Sequence, residues 1–155
     1  MVRPDHYCIW TRSFIGRKNH KHFFLFTMYG SLYTLVFTIA SARTAVPLFR
    51  TPENDHILAL IMTSIYTLFG LAFFLFTLIY VVTMLYEFSV DLTTFEQMRH
   101  MESRPQRSCI KNWEYLFGSV KRWYTWMLPV DPFNVKSDWD LVDDEYYEYY
   151  EYSSD

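Results

Sequence analysis

The chain has 155 residues, of which 51% are hydrophobic, 21% aromatic and only 20% charged. Its formal net charge of −3 excludes a generally basic nucleic-acid binder. Two cysteines, Cys8 and Cys109, exclude a disulfide-rich scaffold and a cysteine-built zinc domain, and four glycines leave nothing for a phosphate-cradling loop.

Charge is segregated along the chain. Residues 1–22 form a polar, aromatic segment carrying Arg3, Arg12, Arg17, Lys18 and Lys21 against Asp5. Residues 23–42 contain no charge, and residues 57–86 form a second uncharged run. A bilayer core needs roughly 20 helical residues, so each run predicts a transmembrane helix, and the second is long enough to tilt or to emerge. A soluble core reading fails, because too little chain remains to cover two such helices. The first run follows a polar segment and does not read as a cleaved signal peptide. Residues 43–56 then form a short external loop. Basic residues before the first run, and Arg99, Arg104, Arg107, Lys111, Lys121 and Arg122 after the second, place both termini in the cytosol. The expected fold is an all-α membrane protein: a two-helix transmembrane hairpin with a cytosolic catalytic segment at 1–22 and a cytosolic segment at 87–137. Cys8 and Cys109 are then expected to stay reduced.

Within 87–137, residues 112–129 carry Trp113, Tyr115, Phe117, Trp123, Tyr124 and Trp126, which read as an interfacial anchor or a packed cap. Residues 138–155 hold eight acids, no base and five tyrosines, and read as a disordered tail.

The chemistry is concentrated in Asp5-His6-Tyr7-Cys8. A thiol becomes a strong nucleophile when a neighbour takes its proton. A histidine two residues away supplies such a base, and an adjacent carboxylate fixes its tautomer. By itself the tetrapeptide is equally the mark of a lipid-accepting or inert cysteine. Histidine pairs, His6 with Cys8 and His20 with His22, offer a rival metal reading, but their spacing is loose and metal ligands are not assigned.

The run from Asp5 to Phe23 resembles the core of the DHHC protein S-acyltransferases, the palmitoyltransferases. Asp5, His6, Cys8, Trp10, Ile15, Gly16, Asn19, His20 and Phe23 fall at that family's spacing. Thr93-Thr94-Phe95-Glu96 resembles its T-T-x-E motif, and Asn112 to Gly118 its asparagine-bearing aromatic segment. The resemblance covers roughly residues 3–130. It implies that Cys8 carries the acyl group, that His6 oriented by Asp5 is the base, and that no cofactor is needed beyond acyl-CoA as co-substrate. It implies supporting roles for Thr93, Thr94 and Glu96, with Thr94 holding the catalytic aspartate, and for Asn112 behind the active site. It places Tyr33 at the deep end of an acyl cavity. Arg17, Lys18 and Lys21 are candidates for the phosphates of coenzyme A.

Two departures fall where the family ligates zinc. The second histidine of the tetrapeptide is Tyr7, and the cysteine six residues beyond the nucleophile is Phe14. They predict a variant in which aromatic packing fills the zinc-binding positions, so zinc is not expected. The family's upstream cysteine-rich stretch and its first two membrane helices have no counterpart before Asp5, which reads as the C-terminal half of the fold. The implied partners are palmitoyl-CoA, membrane-associated proteins with juxtamembrane cysteines and the bilayer, with no nucleic acid. The expected location is an endomembrane of the ER or Golgi, with the site facing the cytosol. The competing reading is a catalytically inactive fragment or pseudoenzyme that serves as a membrane adaptor. Cys8→Ser separates the two.

Overall fold

The computed structural model describes residues 3–50, 56–100 and 108–132. The acidic tyrosine tail, and Arg104 and Arg107 among the predicted membrane-facing bases, lie outside the described residues. The chain divides into two compact units, one built from residues up to Leu25 together with those from Met84 onward, the other from Phe26–Thr83.

The first unit opens with an antiparallel hairpin of β1 (Pro4–Cys8) and β2 (Ser13–Gly16). This corrects the all-α expectation. The segment carries Tyr7, Phe14 and Ile15, residue types that suit a pleated half-buried surface, and Arg12 at the turn takes a left-handed φ of 49°. So short a ribbon is marginal alone. It is held by the rest of the unit, above all at Arg3. The Arg3 guanidinium donates from Nε to Glu96 Oε1 at 2.9 Å and from Nη2 to Glu96 Oε2 at 2.8 Å, and it also engages the carboxylate and the carbonyl of Asp91. Burial opposes the charge on Arg3, but Glu96 and Asp91 outweigh that cost and hold its pKa above the ordinary arginine value.

The hairpin register pairs Pro4 with Gly16 but His6 with Ile15. Asp5 is therefore the extra residue of a β-bulge. A bulge re-aims a side chain that regular alternation would send to the opposite face. Here it lets the adjacent side chains of Asp5 and His6 meet. Farther along, Tyr7 faces Phe14 directly across the ribbon, with ring centroids 5.0 Å apart and edge-to-face. Asn19 joins the hairpin to the first helix. Its Oδ1 accepts the Gly16 N–H at 2.9 Å, its Nδ2 donates to the Phe14 carbonyl at 3.0 Å, and its own carbonyl accepts the Phe23 N–H.

Helix α1 spans His20–Arg50 and α2 spans Ile57–Val90. Both are long and apolar enough to cross a membrane. At 1.5 Å per residue they run about 46 and 51 Å, beyond a hydrocarbon core of about 30 Å. The predicted limits, 23–42 and 57–86, mark the uncharged runs. The helices continue past them, with Arg43 and Arg50 of α1 exposed but Lys21 of α1 and Glu87 of α2 buried. The second unit is the part of this pair within Phe26–Thr83. There Gly70 permits a close approach, since a Cβ in its place would stand 2.6 Å from Thr38 Oγ1 and 2.9 Å from Phe37 Cδ1. The hydroxyls along both helices turn back onto their own backbone: Thr34 onto Gly30, Thr38 onto Thr34, Ser64 onto Leu60 and Thr67 onto Thr63. Their outward apolar side chains, among them Leu58, Leu68, Phe69 and Ile79, are exposed. Polar groups satisfied internally beneath an apolar surface are what a lipid solvent requires.

The rest of the first unit follows α2. Helix α3 (Thr94–Met98) is a single turn capped reciprocally by Thr93 and Glu96. Helix α4 (Cys109–Phe117) carries Trp113, Tyr115 and Phe117, and a 3₁₀ turn follows at Val120–Thr125. The aromatic segment splits between the two expected roles. Trp113 and Trp126 pack with Phe24, Phe88 and Phe117 in one cluster of ring contacts, whereas Trp123 and Tyr124 are exposed. Gly118 ends α4 at φ 87° and ψ 177°, where a Cβ would lie 2.6 Å from the Pro132 carbonyl oxygen.

Candidate active site

The site is assembled on β1 and on the turn that opens α3. Asp5 is buried and held through both oxygens. Its Oδ1 accepts the backbone N–H of Thr94 at 2.7 Å, and its Oδ2 accepts His6 Nδ1–H at 2.7 Å. The Thr94 N–H is presented by the first turn of a capped helix, where backbone donors lack intrahelical partners. Asp5 therefore fixes His6 as the tautomer that carries its proton on Nδ1 when neutral, leaving the Nε2 lone pair for proton exchange. The His6 ring rests edge-on against Phe23 with centroids 5.3 Å apart. Cys8 lies two residues along the same strand, on the face His6 occupies.

Cys8 is a free, buried thiol. Burial pushes its pKa up, but hydrogen bonds from the Thr11 side chain and from the backbone of Thr11 and Trp10 outweigh it. The net value lies below that of an ordinary thiol.

The T-T-F-E motif divides its work. Thr93 and Glu96 cap α3, Glu96 also pairs with Arg3, and Thr94 grips Asp5. Asn112 donates from Nδ2 to the Ser89 carbonyl at 3.0 Å and ties α4 to the end of α2. Thr94 directly and Glu96 through Arg3 reach the hairpin that carries Asp5, His6 and Cys8, whereas Asn112 acts on α4 and α2. Tyr33 does not belong to that group. It lies in the second unit, is 71% exposed and stacks on Phe37 at 6.5 Å.

The three residues read as phosphate contacts differ in their surroundings. Arg17 is buried, with its guanidinium carbon 3.0 Å from the centre of the Tyr115 ring. Lys21 is 2% exposed, and its Nζ donates to the Thr125 carbonyl at 3.0 Å and the Val130 carbonyl at 2.8 Å. Cationic heads committed to a ring face and to carbonyl oxygens are packed into the unit rather than offered to a ligand. Lys18 is exposed.

The sequence reading missed four residues that build the site. Arg3 pairs with both Glu96 and Asp91 at the foot of the hairpin. Asp91 was not singled out. His20 was noted as a family match, yet its Nε2 lies 3.7 Å from Asp5 Oδ2, in a fully buried position. Glu87 follows the uncharged run at 57–86 and was not singled out. The signal that finds Glu87 is an acid buried within the last turn of an otherwise apolar helix.

The metal question separates into two places. Tyr7 and Phe14, at the positions that the family resemblance assigns to zinc, offer a phenol and no donor at all, and their rings pack together. That donor set does not fit zinc. Elsewhere, among the described residues, ligand-type atoms of Asp5, His20 and Glu87 lie within 4.8 Å of one another. Both Asp5 oxygens and Glu87 Oε1 already accept protein hydrogen bonds. His22, the other member of the rival histidine pair, lies 4.0 Å from Asp131. A small cavity of about 20 Å³ opens beside Arg3, Arg17, His20 and Glu87, room for a single water.

Comparison with known proteins points to one family. A family model described as DHHC palmitoyltransferase matches residues 1–101. The chain is 26% identical over 133 residues to "Probable protein S-acyltransferase 14" of Arabidopsis thaliana, covering 83% of this chain and 43% of that protein. It is 27% identical to "Palmitoyltransferase PFA3" of Debaryomyces hansenii, covering 89% and 40%, and 28% identical to human "Palmitoyltransferase ZDHHC3", covering 75% and 41%. It thus spans under half the length of these relatives. With the family model matching well over half of the chain, including the Asp5–Cys8 tetrapeptide and the T-T-F-E turn, the chain belongs to the DHHC palmitoyltransferase family.

Proposed function

We propose that the protein is a membrane-embedded protein S-acyltransferase that moves a long-chain acyl group from acyl-CoA to a protein cysteine through an acyl-Cys8 intermediate. The observation that carries this reading is the Asp5 carboxylate, held on one oxygen by Thr94 and on the other by His6, on the strand that presents Cys8. His6 Nε2 takes the Cys8 proton. The thiolate attacks the thioester carbonyl of palmitoyl-CoA, a carbon–sulfur bond to Cys8 forms, and the bond to coenzyme A breaks. Coenzyme A leaves as the thiol, with the proton returned by His6. In the second half-reaction a substrate thiol gives its proton to His6 and displaces Cys8 as a thiol. Both steps exchange one thioester for another, so positioning and thiolate activation carry most of the acceleration.

The membrane supplies the rest of the geometry. An acyl chain stays in hydrocarbon while its thioester meets Cys8 at the boundary. Basic residues flanking both apolar runs favour a cytosolic site and an external 43–56 loop. Membrane-associated proteins with cysteines close to the bilayer are the matching acceptors, and an ER or Golgi membrane the matching location. Within this reading Lys18 is the basic side chain exposed to coenzyme A phosphates, and Tyr33 meets the acyl chain from α1.

The test is turnover. The full chain in lipid nanodiscs receives palmitoyl-CoA and a membrane-anchored peptide bearing one cysteine. Release of free coenzyme A in step with peptide acylation is expected, and Cys8→Ser is expected to abolish both. Unchanged release in Cys8→Ser, or none in the parent, favours the adaptor reading.

A further inference from the structure

Asp5 is not gripped by an unsupported turn. The same Thr94 that donates its backbone N–H to Asp5 Oδ1 at 2.7 Å also donates its hydroxyl to Glu87 Oε1 at 2.8 Å. Glu87 is 5% exposed, lies three residues from the end of α2, and also receives Gln97 Nε2 at 3.5 Å. Its backbone carbonyl accepts the Leu92 N–H, so the residue is rooted on both sides of the link between α2 and α3. A carboxyl group at the end of an apolar helix loses hydration when it is buried, so it persists there only with a defined hydrogen-bonding task. Here that task is the orientation of Thr94.

We propose that Glu87 is a positioning residue for the catalytic carboxylate. Through Thr94 it fixes the backbone N–H that holds Asp5, and so the tautomer and direction of His6. The route is Glu87 Oε1, Thr94 Oγ1, Thr94 N, Asp5 Oδ1, Asp5 Oδ2 and His6 Nδ1, with every junction a short hydrogen bond or a side chain's own framework. The proposal rests on the acyl-transfer reading above for its consequence, but its physical content is the setting of the Asp5–His6–Cys8 array. Among the described residues, the charged and titratable groups facing the array are Arg3 and Arg17 from the hairpin segment, His20 from α1, Glu87 itself and Asp91 just beyond α2.

The test uses the full chain in nanodiscs with Cys109→Ser, which removes the exposed second thiol. Two readouts are taken: the pH profile of Cys8 alkylation by iodoacetamide, and the rate of hydroxylamine-labile acylation from palmitoyl-CoA. Glu87→Gln keeps an oxygen acceptor for the Thr94 hydroxyl and is expected within about threefold of the parent in both. Glu87→Leu removes the acceptor. It is expected to slow acylation at least about tenfold and to move the alkylation profile to higher pH, as weakened proton acceptance by His6 requires. Thr94→Val keeps the N–H but not the hydroxyl and is expected to match Glu87→Leu, which preserves the comparison where the leucine variant does not fold. Glu87→Leu or a folded Thr94→Val with the parent's profile and rate overturns the proposal, as does Glu87→Gln losing as much as Glu87→Leu. A parent that takes no acyl label sinks the transferase reading instead, while the alkylation profiles still decide the role of Glu87.

Discussion

Replacing Arg3 with methionine tests whether the hairpin is held by one buried ion cluster. Arg3 is 5% exposed and meets Glu96 through two parallel hydrogen bonds of 2.9 and 2.8 Å. Methionine fills much of the same volume but leaves Glu96 and Asp91 without their cation. Removing one partner of a buried pair costs about 3–5 kcal/mol, mostly because the remaining charge is left uncompensated. Two local features place Arg3→Met near the lower end of that range. Glu96 Oε2 still accepts the Thr93 N–H at 2.9 Å, and the Asp91 side chain, 12% exposed, can recruit water. The expected loss is about 3 kcal/mol, roughly a hundredfold in the folding equilibrium of this unit. Denaturant titration in detergent, followed through the stacked Trp113 and Trp126 rings, measures it. Arg3→Lys restores charge without the planar fork and is expected to recover only part of the loss. Glu96→Gln completes a double-mutant cycle, with a coupling of about 2 kcal/mol or more expected. A loss under about 0.5 kcal/mol in Arg3→Met, or strict additivity with Glu96→Gln, refutes the ion-cluster account.

Other perturbations follow the same geometry. Thr11→Val removes a hydrogen bond to the Cys8 sulfur, so the alkylation midpoint of Cys8, below the ordinary thiol value in the parent, is expected to rise. A depressed folded-state pKa favours the folded chain above the ordinary thiol range, and that advantage fades as pH falls towards the folded value. Parallel melts across that window read the loss of this pH dependence in Thr11→Val. Asp5→Asn keeps the shape but not the charge that supports His6, and is expected to slow Cys8 acylation by about a hundredfold or more, read by single-turnover labelling. Lys21→Met strands the Thr125 and Val130 carbonyls, an expected cost of about 1–3 kcal/mol in the same titration. A Tyr7→Ala and Phe14→Ala cycle is expected to show a coupling of about 0.5–1.5 kcal/mol from the edge-to-face pair.

The legible parts of the sequence were those encoded locally. Uncharged runs revealed both long helices, and Thr93 to Glu96 read as one compact motif because its members lie within a single turn. The hairpin was harder to see. Its strands are short, and the contacts that hold them come from Asp91, Thr94 and Glu96, nearly ninety residues away in sequence. The bulge at Asp5 is equally invisible to local reading, although it brings the aspartate onto His6. Arg17 and Lys21 misled for a related reason. Positive charge beside an apolar run reads as surface, yet Tyr115 and two carbonyls, supplied about a hundred residues later, receive those cations inside the unit. Tyr7 and Phe14, which stand where the family resemblance places zinc ligands, face each other across the ribbon, a pairing that only strand register reveals.

The central claim is that Cys8 carries the acyl group. Its most direct test is incubation of the membrane-inserted chain with a clickable palmitoyl-CoA analogue, followed by hydroxylamine treatment and mapping of the modified residue. The account predicts a hydroxylamine-labile label on Cys8 that disappears in Cys8→Ser. A label that persists in Cys8→Ser and maps to Cys109, or no label in folded protein, contradicts it.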